Sequence, residues 1–273
     1  MWFTPIKILV CFLAFMALGA SLSWSGLDPT AILLHLRNFA LIIGASALGG
    51  FVLSHFGLQR SIRWEHRAIT SLILFVLFDP EWAWWAYPML GLVTELIQRF
   101  FRIPGAPFFN PAAAGALVMS FIGIAPGWWG VSFAPRFMFT EGGISIAFFF
   151  TLAFAGFVAW KYQKLPIVLS AVLFFALIYP FLIGASPWYI LLEGTFAFFL
   201  LVMAVEPKTS PVLQKEQIIY GGIIGISIPV IIALDFPEAY PIALLLANLY
   251  HRRTFLFDLV RNQASSTLPA TPS

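Results

Sequence analysis

Charged residues are scarce in this chain, and cysteine is almost absent. Only 10% of the 273 residues are charged, against roughly 25% in ordinary soluble domains. The single cysteine, Cys11, excludes an internal disulfide and any multi-cysteine zinc or iron–sulfur motif in the chain. Neither a nucleophile–base pair nor a cluster of metal ligands is recognisable. We therefore assign no catalytic residue and no metal ligand, and do not expect an enzyme that acts alone.

Apolar residues fill the chain instead. They make up 60% of it, the mean hydropathy is +0.91, and apolar runs extend along almost its whole length. This composition predicts an all-α polytopic membrane protein with no room for a separate soluble domain. The net charge of +3 does not indicate nucleic-acid binding, because the basic residues stand at segment ends rather than in one patch.

Ten apolar segments, about ten transmembrane helices, are predicted. They cover approximately residues 6–24, 38–55, 68–78, 88–98, 110–124, 143–160, 165–184, 188–205, 218–234 and 239–250. The third and fourth segments are shorter than the ~20 residues that one helix needs to cross a bilayer. The first resembles a signal peptide, with Lys7 before an apolar run, but we expect it to be retained because the topology of the remaining segments requires it.

Lysine and arginine fall on alternate loops. With ten crossings and the N-terminus inside, only Arg37 and Arg136 of the 15 Lys and Arg residues lie outside. Because positive charge is enriched on the cytoplasmic side, we predict a multi-pass protein of the inner (plasma) membrane with both termini in the cytoplasm. Residues 254–273 are expected to form a partly disordered cytoplasmic tail.

Five segments in each half imply that any repeat is inverted. We predict a first transmembrane repeat over residues 1–124, an extracytoplasmic loop over 125–142 and a second repeat over 143–253. An acid–proline break follows the third segment at Asp79-Pro80, and another follows the eighth at Glu206-Pro207. Discontinuous helices of inverted repeats typically meet around a site near the membrane midplane. Asp79 and Glu206 are therefore candidate site residues.

The stretch 99–120 carries a further candidate. Asn110 is a favoured N-cap and Pro111 is tolerated in the first helical turn, so a helix is predicted to begin there. Small residues follow at positions 112–116. They suit close packing of a neighbouring helix. They are equally consistent with a helix N-terminus that faces a ligand, since such an end offers unpaired N–H groups and the positive end of a dipole.

Three motifs in this order resemble one family, which comprises the RnfD protein of the Rnf electron-transport complex and the NqrB protein of the sodium-pumping NADH:quinone reductase. The stretch 108–113, FFNPAA, is similar to the family's F-N-P-A. The stretch 203–211, MAVEPKTSP, resembles its M-A-T-D-P-V-T-S-P. Pro237-Glu238, followed by the run 243–248, ALLLAN, resembles its last helix. The likeness extends over most of the chain, from about Ala68 to Asn248.

The resemblance implies a ten-helix flavoprotein that passes electrons within a membrane complex coupled to ion movement. Family members attach flavin mononucleotide (FMN) to the threonine of an S-G-A-T motif in an outer loop. Here the loop contains Thr140 but no S-G-A-T, so covalent FMN at Thr140 is not expected. The family also binds a flavin non-covalently near the membrane core. We therefore expect non-covalent flavin, either FMN or riboflavin, and other membrane subunits as partners.

For several polar residues the sequence is consistent with both a structural role and a functional role. Glu95 lies one turn before Arg99 and can pair with it along the helix, whereas an ion route is the alternative. Glu193 lies near an outer segment end, within reach of water. Thr209 and Ser210 supply hydroxyls either to a flavin or an ion, or to the cap of segment nine.

Two functions follow from these observations. The first is an electron-transfer subunit of an ion-coupled oxidoreductase complex, which the order of the three motifs favours. The second is a non-redox transporter or channel for a small solute or ion on the same scaffold, which the missing S-G-A-T motif favours, because a resemblance transfers fold more safely than function.

Overall fold

The computed structural model describes residues 4–56, 62–103, 105–131, 146–253 and 255, and these are mostly helical. The helices are α1 (Pro5–Ser25), α2 (Pro29–His55), α3 (Trp64–Leu77), α4 (Ala86–Phe100), α5 (Pro111–Phe121), α6 (Ile146–Phe150), α7 (Gly156–Lys161), α8 (Leu165–Ile183), α9 (Trp188–Leu191), α10 (Gly194–Phe198), α11 (Gln214–Ala233) and α12 (Ala239–His251). Two π-helical segments, π1 (Thr151–Ala155) and π2 (Phe199–Ala204), continue α6 into α7 and extend α10. The prediction of an all-α fold misses one short hairpin after α4, in which β1 (Arg102–Ile103) pairs antiparallel with β2 (Ala106–Pro107).

Four of the described helices, α1, α2, α8 and α11, are long and apolar enough to cross a membrane. Shorter apolar helices run over Pro111–Phe121, Phe148–Lys161 and Gly194–Ala204. Large apolar side chains point outward on the long helices, for example Phe51 on α2 and Phe181 on α8, which are 71% and 86% exposed. Apolar side chains on an outer helix surface are expected where lipid is the solvent. The protein is therefore a multi-helix membrane protein.

Two helices differ from their predicted extents. Helix α2 begins at Pro29 rather than near residue 38, because Asp28 caps it by accepting a hydrogen bond from the Thr30 amide at 3.0 Å. The polar residues in the first turns of α2 lower the local hydropathy, so the apolar run alone places the start of the helix too late. The predicted eighth segment is interrupted, since Glu193 has extended backbone angles between α9 and α10.

The two halves share a packing order. Helix α2 packs on α4 in the first half and α8 packs on α11 in the second, while α4 contacts α5 and α11 contacts α12. In each of the pairs α2–α4 and α8–α11, the two helix backbones come closest at a glycine. A Cβ at Gly91 would lie 2.1 Å from the Ile42 carbonyl oxygen, and one at Gly221 would lie 2.2 Å from that of Ile167. The backbones approach so closely that no larger residue fits.

The C-terminal end of α3 is closed by the segment 125–131. The Trp128 amide donates to the Leu77 carbonyl at 2.7 Å, and the Gly130 amide donates to that of Val76 at 3.0 Å. The indole Nε1 of Trp129 donates to the Phe75 carbonyl at 2.7 Å. Carbonyl groups at a helix end need such partners wherever water is excluded.

A buried ion cluster joins α2, α3 and α4. Glu95 is 1% exposed, and its Oε1 lies 2.9 Å from Arg99 Nε and 3.1 Å from Arg67 Nη2. Ser46 donates its hydroxyl to Glu95 Oε2 at 2.9 Å, and Arg99 also donates to the Gly50 carbonyl at 2.8 Å. The pairing of Glu95 with Arg99 along one helix is confirmed. The buried carboxylate of Glu95 thus receives hydrogen bonds from one side chain on each of the three helices, Ser46 on α2, Arg67 on α3 and Arg99 on α4.

Candidate functional site

The Asn110 side chain connects the two halves of the protein. Its oxygen accepts a hydrogen bond from the Ala113 amide at 3.0 Å, which confirms the predicted cap of α5. Its Nδ2 donates to Glu206 Oε2 at 2.9 Å and to the Met203 carbonyl at 3.1 Å. Because π2 ends at Ala204, the amide satisfies a terminal carbonyl of that helix as well.

The turn after π2 presents Glu206 to this amide. Thr209 donates its hydroxyl to Glu206 Oε2 at 3.1 Å, so one carboxylate oxygen receives two hydrogen bonds. The Ser210 hydroxyl instead donates to the Glu206 backbone carbonyl at 2.8 Å. Thr209 and Ser210 are buried. Thr209 therefore holds the carboxylate directly, whereas Ser210 stabilises the turn.

Two residues complete the network, Asn248 on α12 and Tyr220 on α11. The backbone N–H of Asn110 donates to Asn248 Oδ1 at 2.8 Å. Asn248 Nδ2 donates to the Tyr220 hydroxyl at 2.6 Å and to the Thr209 carbonyl at 3.3 Å. Both side chains are fully buried. We did not predict either residue as part of the site, although a buried amide in an apolar helix is a functional signal.

Two adjoining cavities lie beside the network. The polar cavity, of about 320 Å³, is lined by Ile62, Arg63, His66, Thr70, Gln98, Arg102, Pro107, Pro111, Glu206 and Lys208. The apolar pocket, of about 220 Å³, shares five of these residues with it, namely His66, Thr70, Pro111, Glu206 and Lys208. Its other walls are mainly aliphatic and include Ile69, Ile73, Leu201 and Val202, with Asn110 and Tyr162 as polar members. Pro111, at the start of α5, therefore faces both spaces.

Burial and charge act on two groups of the turn, which lies outside the helices. Burial raises the pKa of Glu206 to about 7, against the opposing effects of the Thr209 hydroxyl and the Lys208 charge. Burial also lowers the pKa of Lys208. The charge of Glu206 opposes this effect, and the smaller effects of Arg102 and Arg63 add to it. Burial therefore favours the protonated form of the Glu206 carboxyl.

Asp79 does not reach this network. It lines a third cavity, of about 390 Å³, together with Glu193, Thr195, Tyr240, Gly127 and three tryptophans, Trp24, Trp128 and Trp129. Its Oδ1 accepts a hydrogen bond from the Glu81 amide at 2.9 Å. The two acid–proline breaks thus line separate cavities rather than one shared site. Thr140 lies outside the described residues.

Comparison with known proteins gives a family match in the second half of the chain. Residues 126–253 match the model of the NQR2, RnfD, RnfE family. The resemblance is confirmed. A stretch of 84 residues is 38% identical to the NqrB component of the Na(+)-translocating NADH-quinone reductase of Yersinia pestis, and it spans 30% of this chain. The same stretch spans 20% of the length of that protein.

The family match covers one side of the network. The turn with Glu206 and Thr209, and the buried residues Tyr220 and Asn248, lie within the matched range, whereas Asn110 precedes it. Hydrogen bonds from Asn110 to Glu206 and Asn248 nevertheless connect the first motif to the other two. The three motifs that carry the resemblance therefore meet at one place in the structure.

Proposed function

We propose that this chain is a membrane subunit of an Rnf/Nqr-like electron-transport complex and passes electrons through a non-covalently bound flavin. The observation that carries the proposal is the pair of adjoining cavities beside the Asn110–Glu206 contact. Ligand pockets are typically mostly apolar with a few convergent polar groups and span roughly 300–1,000 Å³. The two spaces together have this character and size.

The residues present fit a flavin. The aliphatic walls of the apolar pocket suit a flat ring system, and Tyr162 adds an aromatic surface. Asn110, Glu206 and Thr70 offer polar groups to the edges of such a ring. A bound flavin supplies reversible one- and two-electron transfer, which the side chains do not provide. The chain's own contribution is to orient the ring, keep water from it and hold a proton at Glu206.

The architecture proposed with this function is ten crossings in two inverted repeats. The shared packing order of the halves, and the glycine contacts at Gly91 and Gly221, support the repeat. Residues expected on the cytoplasmic side also meet in the structure, since Arg63, Arg102 and Lys208 line one cavity. Arg252 donates to the Lys208 carbonyl at 2.7 Å at the same end. This grouping supports the proposed orientation in the inner membrane with cytoplasmic termini, and the family match supports other membrane subunits as partners.

The test is the chromophore of the purified full-length protein. We expect the visible absorption of oxidised flavin, with the yellow compound released into the supernatant when the protein is denatured in acid. Chromophore that stays with the polypeptide and disappears in Thr140→Ala would instead show covalent attachment. Protein that is colourless even after reconstitution with flavin and partner subunits would reject the flavin proposal.

The third cavity, which Asp79 lines, favours transport as the second candidate. It and the polar cavity lie at opposite ends of α3, since His66 in the first turn lines one and Asp79, just after the helix, lines the other. Alternating access requires a route to a central site from each face of the membrane, and a cavity at each end of α3 fits that requirement. A colourless protein that carries an ion or solute flux in liposomes, and loses it in Glu206→Gln, would establish this alternative.

A further inference from the structure

The third cavity lies at the end of α3 opposite the polar cavity, and its wall carries the opposite charge. Two acidic residues line it, Asp79 after α3 and Glu193 between α9 and α10. No lysine, arginine or histidine is among the described residues of this wall. Two carboxylates that line one space repel each other, and a cation between them lowers the energy of both. The charge of the wall therefore favours a positively charged ligand.

Both carboxylates have few partners of their own. Asp79 Oδ1 accepts a hydrogen bond from the backbone N–H of Glu81 at 2.9 Å. Glu193 Oε1 accepts one from the Thr195 hydroxyl at 3.2 Å. A carboxylate offers two oxygens with about four acceptor positions, and neither acid forms a salt bridge with a residue that the structure describes. Their negative charge is thus left uncompensated within the described part of the chain.

Arg37 lies near this end of α3 but binds elsewhere. Its guanidinium donates to Asn38 Oδ1 at 3.0 and 3.3 Å, and Asn38 Nδ2 donates to the Pro80 carbonyl at 3.0 Å. Arg37 is exposed and is not among the residues that line the cavity. A second cation inside the cavity therefore does not have to displace it.

Four aromatic rings form most of the remaining wall, those of Trp24, Trp128, Trp129 and Tyr240. The rings of Trp128 and Tyr240 are 5.4 Å apart at 72°, and those of Trp24 and Trp129 are 6.1 Å apart at 77°. Each pair is nearly perpendicular, so it forms a corner rather than a flat wall. Trp129 is only 5% exposed, unlike a tryptophan that anchors a helix among lipid headgroups. Tryptophan and tyrosine rings attract cations through their faces.

The combination of rings and acids selects the kind of cation. Calcium and magnesium take a shell of oxygen ligands, and no group of three or more His, Cys, Asp or Glu able to hold a metal ion occurs among the described residues. Aromatic walls suit the alkyl groups of an organic ammonium ion, and its charge suits the carboxylates. We infer that the third cavity, of about 390 Å³, binds a small organic cation with an alkylated ammonium group. This inference goes beyond the proposed function and does not depend on a flavin.

The experiment compares choline with 3,3-dimethylbutan-1-ol, which has the same shape but no charge. Dissociation constants are measured by titration calorimetry on the purified full-length protein in a maltoside detergent. We expect choline to bind at least about tenfold more tightly than the alcohol, because the alcohol keeps the apolar contacts and lacks the attraction to rings and carboxylates. Tetramethylammonium, which is the ammonium group alone, should compete with choline.

Substitutions locate the binding site. Asp79→Asn, Glu193→Gln and Trp128→Leu should each weaken the binding of choline about tenfold, and Trp128→Phe should retain most of it. Glu81→Gln and Trp84→Leu are the matched controls, because both side chains are exposed and neither lines the cavity. They should bind choline as the wild type does. A thermal melt of each variant separates lost binding from lost fold.

Nanodiscs distinguish a free solute from a lipid headgroup. Choline should bind in phosphatidylglycerol nanodiscs as it does in detergent. If phosphatidylcholine nanodiscs abolish this binding, the group is a lipid headgroup, and if they leave it unchanged, the ligand is a free solute. Either result supports the inference, since the recognised group is the same.

The inference is overturned by any of three results. Equal affinities for choline and the alcohol would show a cavity that selects shape and not charge. Choline that does not bind, or that binds equally to the wild type and to all the cavity variants, would place no such site here. Displacement of choline by sodium ions, at concentrations where potassium ions have no effect, would show a site for an inorganic cation. The flavin content of the purified protein tests the proposed function separately.

Discussion

At the scale of single residues, one amide side chain combines a role that the sequence predicts with one that it does not. Asn110 caps α5, and it also binds Glu206 across the boundary between the halves. The cap is predictable because it depends on neighbours in the chain. The contact with Glu206 joins residues 96 positions apart, and no local pattern specifies it. Asn248 was missed for the same reason.

Loss of the Asn110 side chain should affect both stability and binding. Asn110→Ala removes the cap, at a cost of ~1 kcal/mol, and leaves Glu206 with fewer donors. We expect a lower melting temperature and loss of flavin retention. Asp28→Ala is the control, because Asp28 caps α2 at an exposed site remote from both cavities. If Asn110→Ala keeps its flavin as Asp28→Ala does, Asn110 is a cap alone.

The carboxyl of Glu206 should titrate near neutrality. Burial raises its pKa from 4.5 to about 7, so the folded state binds the proton more tightly than the unfolded state. As the pH rises from about 4.5 to about 7 the wild type should therefore lose stability relative to Glu206→Gln. Infrared spectra of the wild type minus those of Glu206→Gln should show a protonated carboxyl band that fades near pH 7. A band in this difference that fades near pH 4.5, or the lack of any such band, would contradict the assignment.

At the scale of elements, the sequence predicted the helices better than their interruptions. Apolar runs and caps located α5, α8, α11 and α12 to within a few residues. The break at Glu193 and the two π-helical segments depend on packing between helices, which leaves no periodic signal in the chain. Likewise, Asp79 and Glu206 have similar sequence surroundings, yet they line separate cavities.

The two closest helix contacts should tolerate no added methyl group. Gly91→Ala and Gly221→Ala would each place a Cβ against a carbonyl oxygen, so the helices must separate and the protein should melt at a lower temperature. Gly44→Ala and Gly156→Ala are matched helical controls with nothing within 4 Å of the added atom. They should be neutral or stabilising by up to about 1 kcal/mol. Equal effects in all four variants would show that the close approach is not limiting.

At the scale of the whole molecule, the distribution of lysine and arginine predicts the orientation in the membrane. Reporter domains fused after Trp128 and after Lys161 should lie on opposite sides, because one predicted crossing separates them. The fusion after Trp128 is expected outside and the fusion after Lys161 inside. Reporters on the same side would show that ten crossings is the wrong number.

The ion cluster around Glu95 has a consequence for biogenesis. Glu95 and Arg99 travel on the same helix and neutralise each other there, but Arg67 arrives on α3 and the Gly50 carbonyl on α2. A charged side chain within the hydrocarbon region costs at least ~2.5 kcal/mol, and the second carboxylate oxygen of Glu95 accepts hydrogen bonds from Ser46 on α2 and Arg67 on α3. Helices α2, α3 and α4 are therefore expected to leave the insertion machinery together, as one assembled unit, rather than one at a time.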